Sequence, residues 1–544
     1  MTTEELAKRP AIVETAVPAG HGWTDYWSPR RALVLASALA VLVVYLAGVA
    51  CKWWPTPDSA LYLAFGRSLA EGQGLVFNGD PRVLVSPGLP VLLAGLMRIF
   101  GVNFYAINLF MTLVGLAAVW LIYLIISQLS NHRTGLGVAL VTAFSYRFYQ
   151  SAHEILSDMP FVLAFWAMLY CVFRFQRGRW PWLALAGLFA IAGVMIRVPC
   201  LLVIGPFAVG LAVDRSAHTR KGRRLLSAGV LLAAAAAAGL AYCLLSWSAA
   251  PGLPTYTPEV QSTSTGFPYH LRQLGVGVHN IMLVLAEAIS GQGLVYSLGS
   301  AALVLMVIGS VRAWRRGDRI MPLTMVLYPL ALIVVTGPWA IHLRYWLPVQ
   351  AFSVYLIIDG LMWVIERIAR WRSRPAGPNF LSKAMTVFVL LAIGSNSPRV
   401  FRSAFYYSYL SYAGAYYEKI RRGAHKELHP VAEAIKTDSG PHDIIGVGPD
   451  KLSMLHFLSR RRMVPLPGLE QGDEQETAKI TRLVRERDEP KLIVLHLRGE
   501  DPAHLRELEG QLAELTRQGY LTVVFDREHY RVYRKTTPAR QLRS

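Results

Sequence analysis

The sequence predicts a multispanning α-helical membrane protein of about 11 transmembrane helices with a small C-terminal α/β domain outside the membrane. Three observations carry this expectation. The chain is 53% hydrophobic and only 17% charged, whereas a soluble chain is about a quarter charged. Its apolar residues fall in runs of about 14–24, most of them near the length a helix needs to cross the hydrocarbon core. Its short basic clusters all fall on alternate loops, which is how an oriented polytopic protein distributes its Lys and Arg.

Lipid offers no hydrogen bonds, so the backbone of each apolar run must pair within its own segment and form a helix. Spans are expected near 31–51, 104–126, 135–148, 158–175, 181–196, 198–213, 225–248, 294–311, 320–337, 345–364 and 381–395. With the N-terminus placed inside, the inner loops and their flanks collect Arg30–Arg31, His132–Arg133, Arg174/Arg177/Arg179, the run Arg215 to Arg224, Arg312/Arg315/Arg316/Arg319 and Arg367 to Arg374. A miscount by one span would scramble that pattern. The expected location is the plasma (inner) membrane, with a cytoplasmic tail over 1–30, a membrane domain over 31–395 and an extracytoplasmic part over 396–544. The formal net charge of +20 then reflects mainly topology-setting loops, and no nucleic-acid partner is expected. The first apolar run reads as an anchor, because about 30 polar residues precede it.

The expected outer loops are 52–103, 149–157 and 249–293. The first contains an amphipathic stretch, Leu61 to Leu69, and a second apolar stretch, Pro87 to Phe100, which read as interfacial helices lying along the membrane. The third, rich in Pro, Ser and Thr in its first half, reads as a mobile lid. Residues 396–420, rich in Tyr and Arg, form a membrane-interface connector. Beyond it, strand signals at Asp443–Val447, Leu492–Leu495 and Leu521–Phe525 alternate with helical patterns at Pro430–Lys436, Asp473–Arg487 and Ala503–Gln518. The piece Gly446-Val447-Gly448-Pro449 is too short for a phosphate-binding loop and ends in a residue without an N–H. The four cysteines all lie in or beside apolar runs and spell no disulfide framework or CxxC metal site.

Ionisable residues at the edges of spans are costly and mark function by default. Asp58 follows the first span in Trp53-Trp54-Pro55-Thr56-Pro57-Asp58, where it also suits a helix cap. Glu154 and Asp158 are four apart, so a helix that starts early puts both carboxylates on one face. With His153 beside them, they are candidates to activate a hydroxyl or hold a divalent cation. Arg197 lies between two apolar runs, and His342-Leu343-Arg344-Tyr345 opens the tenth span. Both arginines lie outside, against the charge bias. Snorkelling to headgroups explains such placement; so does bidentate binding of a phosphate.

The ordered set resembles the GT-C superfamily of polytopic glycosyltransferases, specifically the bacterial proteins related to protein O-mannosyltransferases and lipid A aminoarabinose transferase. The resemblance covers about residues 31–365. It rests on Asp58 with Tyr62 and Ala70-Glu71-Gly72, then Ser86-Pro87-Gly88-Leu89-Pro90 opening an interfacial helix that ends Phe100-Gly101, then Glu154-x-x-x-Asp158-x-Pro160, Arg197, and Arg344-Tyr345-x-x-Pro348. It implies transfer of a sugar from a polyprenyl-phosphate donor to an acceptor lipid, glycan or protein on the extracytoplasmic face, usually with inversion. Asp58 is then the candidate base, and Asp158 with Glu154 supports it or helps hold a cation. Arg197 and Arg344 neutralise the lipid phosphate, with Tyr345 as hydrogen-bond partner; His153 and His342 are further candidates. Where relatives often carry Asp-Glu, this chain has Asp58-Ser59, so a metal is not specified. The rival reading is a transporter or flippase, which would call for charges along a route across the membrane and for an inverted repeat. A catalytically dead scaffold whose outer tail binds a cell-wall partner is a second.

Overall fold

The computed structural model describes residues 29–81, 85–215, 221–247, 267–290, 295–336, 343–372, 377–413, 424–447, 449–465, 484, 490–496, 502–527 and 530–536. Within them the fold is a bundle of apolar helices with a small mixed sheet at its C-terminal end. The predicted spans appear as α1 (Pro29–Ala47), α4 (Phe104–Leu129), α5 (His132–Phe144), α7 (Asp158–Gln176), α8 (Pro181–Ile196), α9 (Cys200–Val213), α10 (Lys221–Trp247), α12 (Val295–Arg315), α13 (Ile320–Thr336), α15 (Gln350–Trp371) and α16 (Pro378–Phe401). Among the described residues, five helices are long and apolar enough to cross a membrane by themselves, and six shorter apolar helices accompany them. The chain is a multi-pass membrane protein.

The two interfacial stretches are helices α2 (Pro57–Ala70) and α3 (Gly88–Phe100). Val91, Leu92, Ile99 and Phe100 of α3 are exposed while Leu89, Leu93 and Met97 are buried, as a helix lying against lipid requires. Between α2 and α3, β1 (Val76–Phe77) and β2 (Asp80–Pro81) form a hairpin that was not predicted. Its turn is Asn78-Gly79, both at positive φ, the dipeptide that two-residue hairpins favour.

Three expectations change. Predicted span 135–148 breaks at Ser145 into α5 and the short α6 (Tyr146–Ser151). The second half of loop 249–293 is α11 (Phe267–Ser290). His270, Arg272, Gln273, His279 and Asn280 lower its mean hydropathy, so the sequence hides a helix whose apolar face is covered by neighbours. It packs closely enough on α12 that a Cβ at Gly299 would lie 2.4 Å from the Met282 carbonyl. The lid expected in the first half of that loop falls mostly at 249–266, outside the described residues, as does most of the N-terminal tail. Finally, α16 runs through Ser395 into a π-helical segment, Arg402–Tyr407, and α17 (Ser408–Tyr412), so the first part of the expected connector is helical.

The C-terminal part has α18 (Ala424–Asp438), β3 (Ile444–Val447), α19 (Pro449–Ser459), β4 (Arg462–Pro465), β5 (Leu492–His496), α20 (Pro502–Arg517), β6 (Leu521–Asp526) and β7 (Tyr530–Lys535). The sheet order is β4-β3-β5-β7-β6, with β3 parallel to β4 and β5, and β7 antiparallel to β5 and β6. Strands β4 and β7 and helix α19 were not predicted; the helical pattern 473–487 falls almost wholly outside the described residues. Pro449 opens α19, which fits a residue whose N–H is not needed in the first turn.

Candidate active site

Helix α7 is the most enclosed of the five long helices, with 83% of its apolar window buried. Its first residue is Asp158, which is 1% exposed. A carboxylate so placed must be matched by positive charge. Two arginines match it. Arg197 Nη1 donates to Asp158 Oδ1, and Arg344 reaches Asp158 Oδ2 through Nε and Nη2, both at 3.1 Å. Arg344 Nη1 also pairs with Asp58 Oδ2 at 3.1 Å. Four residues from four distant segments therefore form one contiguous quartet, with Arg344 bridging the two carboxylates.

Local rules place each member. Asp58 is not the cap of α2. Thr56 is, in a reciprocal capping box with Ser59, which leaves the Asp58 carboxylate to meet Arg344. Tyr62 lies one turn along the same face, and its hydroxyl is 2.9 Å from Ser157 Oγ, tying α2 to the start of α7. Arg197 sits at an extended break (φ −157, ψ 113) between α8 and α9, where Pro199 limits helix continuation. The start of α3 is pressed against that break. A Cβ at Gly88 would lie 2.8 Å from the Ile196 nitrogen, and Ser86 Oγ accepts from the Val198 N–H at 3.3 Å. Arg344 stands on the one-turn α14 (Leu343–Trp346). That turn is held by the Tyr328 hydroxyl donating to the Tyr345 carbonyl at 2.5 Å and by Trp166 Nε1 donating to the Pro348 carbonyl at 3.1 Å. The Tyr345 ring lies under the Arg197 guanidinium, 4.6 Å from its centroid, a cation–π contact.

The remaining candidates are placed differently from expectation. Glu154 does not share a helix face with Asp158, because α7 begins only at 158. It lies in the turn after α6, accepting from Gln150 Nε2 at 2.6 Å. Burial pushes its carboxyl above the ordinary range, against the pull of Arg147 and of the Gln150 bond. His153 is wedged between the Tyr149 and Tyr45 carbonyls at 2.8 and 2.9 Å, and burial lowers its pKa; its contacts hold α6 to α1. Glu154 and His153 line a cleft of about 510 Å³ with Lys52, Trp54, Tyr146 and Gln150. His342 lies outside the described residues. Arg147, beside this cleft and acting electrostatically on both Glu154 and Asp158, was missed. Its signal was available, since it is an outward arginine at the end of an expected span.

The donor set does not fit a divalent metal. Arg344 occupies the position between Asp58 and Asp158 that a bridging cation would take, and a cation there would meet two guanidinium charges. Among the described residues no group of three or more His, Cys, Asp or Glu stands ready to hold an ion.

Apolar helices in a bundle, two shorter helices between α1 and α4, and a charged cluster where these meet the bundle make up a fold that solved structures share. Comparison with known proteins makes this specific. A family model described as dolichyl-phosphate-mannose-protein mannosyltransferase matches residues 85–247, a stretch that contains Glu154, Asp158 and Arg197 but neither Asp58 nor Arg344. ArnT from Cupriavidus metallidurans in the apo state aligns over 93% of this chain and 98% of its own, with TM-score 0.56 and 16% identity. The same protein bound to undecaprenyl phosphate gives 92%, 98%, 0.54 and 17%. The archaeal oligosaccharyltransferase AglB from Archaeoglobus fulgidus, in complex with an inhibitory peptide and a dolichol-phosphate, aligns over 92% of this chain and 73% of its own, with TM-score 0.55 and 11% identity. No curated protein sequence matches. At these identities the likeness establishes the fold, and the expected GT-C architecture is borne out.

Proposed function

We propose that the chain is an integral membrane glycosyltransferase that moves a sugar from a polyprenyl-phosphate donor to an acceptor on the extracytoplasmic face. The single observation that carries this reading is the quartet Asp58–Arg344–Asp158–Arg197 in a GT-C fold. Arg344 is the hinge of the chemistry. It binds Asp58 and Asp158 together, and an arriving phosphate competes with Asp58 for the same guanidinium. Asp158, buried and matched by Arg197, keeps Arg344 in place. Binding of the donor phosphate to Arg344 thus releases the Asp58 carboxylate at the moment a base is required.

The step balances. The acceptor hydroxyl gives its proton to Asp58, its oxygen bonds to the anomeric carbon, and the carbon–oxygen bond to phosphate breaks with the electron pair leaving on the lipid phosphate. Guanidinium groups fixed where that charge develops supply the electrostatic part of the catalysis, and the base contributes about 10²–10⁴-fold. Attack from the face opposite the phosphate inverts the anomeric centre. The cleft beside Glu154 and Gln150 offers hydrogen-bonding groups for sugar hydroxyls. The domain assignment (tail 1–30, membrane domain 31–395, outer part 396–544) and the location in a plasma (inner) membrane with a cytoplasmic N-terminus belong to this reading; the basic inner loops support them.

The test is incubation of the purified protein with labelled polyprenyl-phosphate sugars. Sugar release that stops in Asp58→Asn supports the assignment; turnover unaffected in both Asp58→Asn and Asp158→Asn sinks it. Arg344→Ala is expected to weaken carrier binding more than acceptor binding, and equal effects would argue against a phosphate role.

A further inference from the structure

The C-terminal domain is fastened to the loop that carries Asp58. Ser453 of α19 donates to the Pro57 carbonyl at 3.1 Å. Asn78 at the hairpin tip pairs through its side chain with both backbone groups of Met463 in β4. Phe457 packs edge-on against Trp53, 5.1 Å between centroids. Yet the two surfaces do not close completely. Between them lies a cleft of about 650 Å³ lined by Arg67, Ser68, Glu71, Gln73, Asn78 and Arg460.

Ala64, Val76 and Phe457 also line this cleft, and its charged lining has more positive than negative groups. The Arg67 guanidinium is stacked over the Phe457 ring at 4.2 Å and spends one N–H on the Phe457 carbonyl. Its Nε is buried and has no hydrogen-bond partner among the described residues. Ser68, only 7% exposed, likewise has a buried hydroxyl without a partner there. Burial and the neighbouring charge of Arg460 pull the Arg67 pKa down to about 10, with Glu71 opposing. Arg460 is exposed, at positive φ (58), and reaches the Glu71 carboxylate at 3.8 Å. Arg461 is engaged elsewhere, holding the end of α18 through Ser439 and Lys436. Buried donors left unsatisfied beside surplus guanidinium call for an acceptor with negative charge.

We propose that this cleft binds the oxyanion of an anionic saccharide, a sugar phosphate or a uronate, at a site separate from the Arg344 phosphate site. The guanidinium groups of Arg67 and Arg460 take the anionic oxygens, and Ser68 and Gln73 take hydroxyls. Naming the ligand a saccharide rests on the glycosyltransferase reading; the oxyanion site itself does not. The domain then has a role, completing a binding site whose other wall is the helix that carries Asp58.

The test uses the full chain in nanodiscs of zwitterionic lipid, with calorimetric titration of glucose 6-phosphate, glucuronate, inorganic phosphate and glucose, and of undecaprenyl phosphate in parallel. Saturable binding of glucose 6-phosphate or glucuronate but not glucose is expected. Arg460→Gly, which suits the left-handed backbone and removes an exposed side chain, is expected to weaken that binding about tenfold, the worth of a lost charge-assisted hydrogen bond. Undecaprenyl phosphate binding should be unchanged. Arg67→Gln is a second variant with the same expectation. The proposal is overturned if no anionic probe binds, if neither variant alters binding, or if binding appears only in nanodiscs containing phosphatidylglycerol, which would make the cleft a lipid-headgroup contact. Loss of transfer activity with intact probe binding would count against the catalytic reading and leave this one standing.

Discussion

Two arginine–carboxylate clusters lie toward opposite ends of the bundle, and they are built differently. Near the middle and far end of α15, Arg316 pairs with Asp359 at 2.9 and 3.1 Å, and Arg312 reaches Asp359 and Glu366 at 3.5 and 3.6 Å. These residues come from the end of α12, the turn after it and α15, and the Arg316 side chain is 44% exposed. At the other end, just before α15, the quartet of Asp58, Asp158, Arg197 and Arg344 joins four separate segments around a carboxylate that is 1% exposed. The same chemical groups thus serve two purposes. Exposed pairs between adjacent helices fasten them weakly. Where the shared carboxylate is buried, as Asp158 is, losing an arginine strands its charge.

The contrast is sharpest in Arg197→Leu. It leaves Asp158 with Arg344 alone, and a buried carboxylate stripped of a partner costs about 3–5 kcal/mol. The purified variant should melt well below the parent protein and lose transfer activity; an unchanged melt would break the comparison. Asp58→Asn separates catalysis from folding, because Thr56 and Ser59 hold the α2 cap without it. Its transfer rate should fall about 10²–10⁴-fold with a near-normal melt, measured by single-turnover assay and calorimetry.

Glu154→Gln probes the margin of the site. Burial favours the protonated Glu154 in the folded state, so the folded chain holds more protons than the unfolded one above the ordinary glutamate pKa. Stability from this group therefore falls as pH rises through that window and levels off above the raised folded pKa. The glutamine variant should flatten that slope, and an identical pH–stability profile would mean that burial does not raise the Glu154 pKa. The smallest effect belongs to Arg316→Ala. An exposed pair is worth about 0–1 kcal/mol and is screened by salt, so its melt should approach that of the parent protein in high salt. A loss as large as that of Arg197→Leu would erase the distinction between the clusters.

The residue types of the quartet were legible in the sequence because the membrane makes each of them conspicuous. A carboxylate after a span, a carboxylate opening one and arginines on the expected outer side all run against the cost of charge near lipid. Partnership was not legible. Glu154 seemed the natural companion of Asp158 at four residues' distance, yet Asp158 is matched by residues 39 and 186 positions away. Tyr345 is expected at the phosphate as a hydrogen-bond partner, and the sequence did not show that its ring also lies under Arg197. The hairpin at Asn78-Gly79 carried a standard turn signal that the long loop obscured, while polar residues in its sequence hid α11.

By itself the sequence determined that the chain is a membrane bundle, where its main spans fall and which charged residues stand at their edges. Hydropathy and charge are local properties, and lipid imposes them segment by segment. Only the tertiary structure decided that Arg344 bridges Asp58 and Asp158, that Glu154 stands apart, and that the α/β domain closes a cleft over the helix carrying Asp58. Those facts depend on which helix ends meet. That is set by packing at Gly88 against Ile196, Tyr62 against Ser157 and Phe457 against Trp53, contacts between residues far apart in the chain.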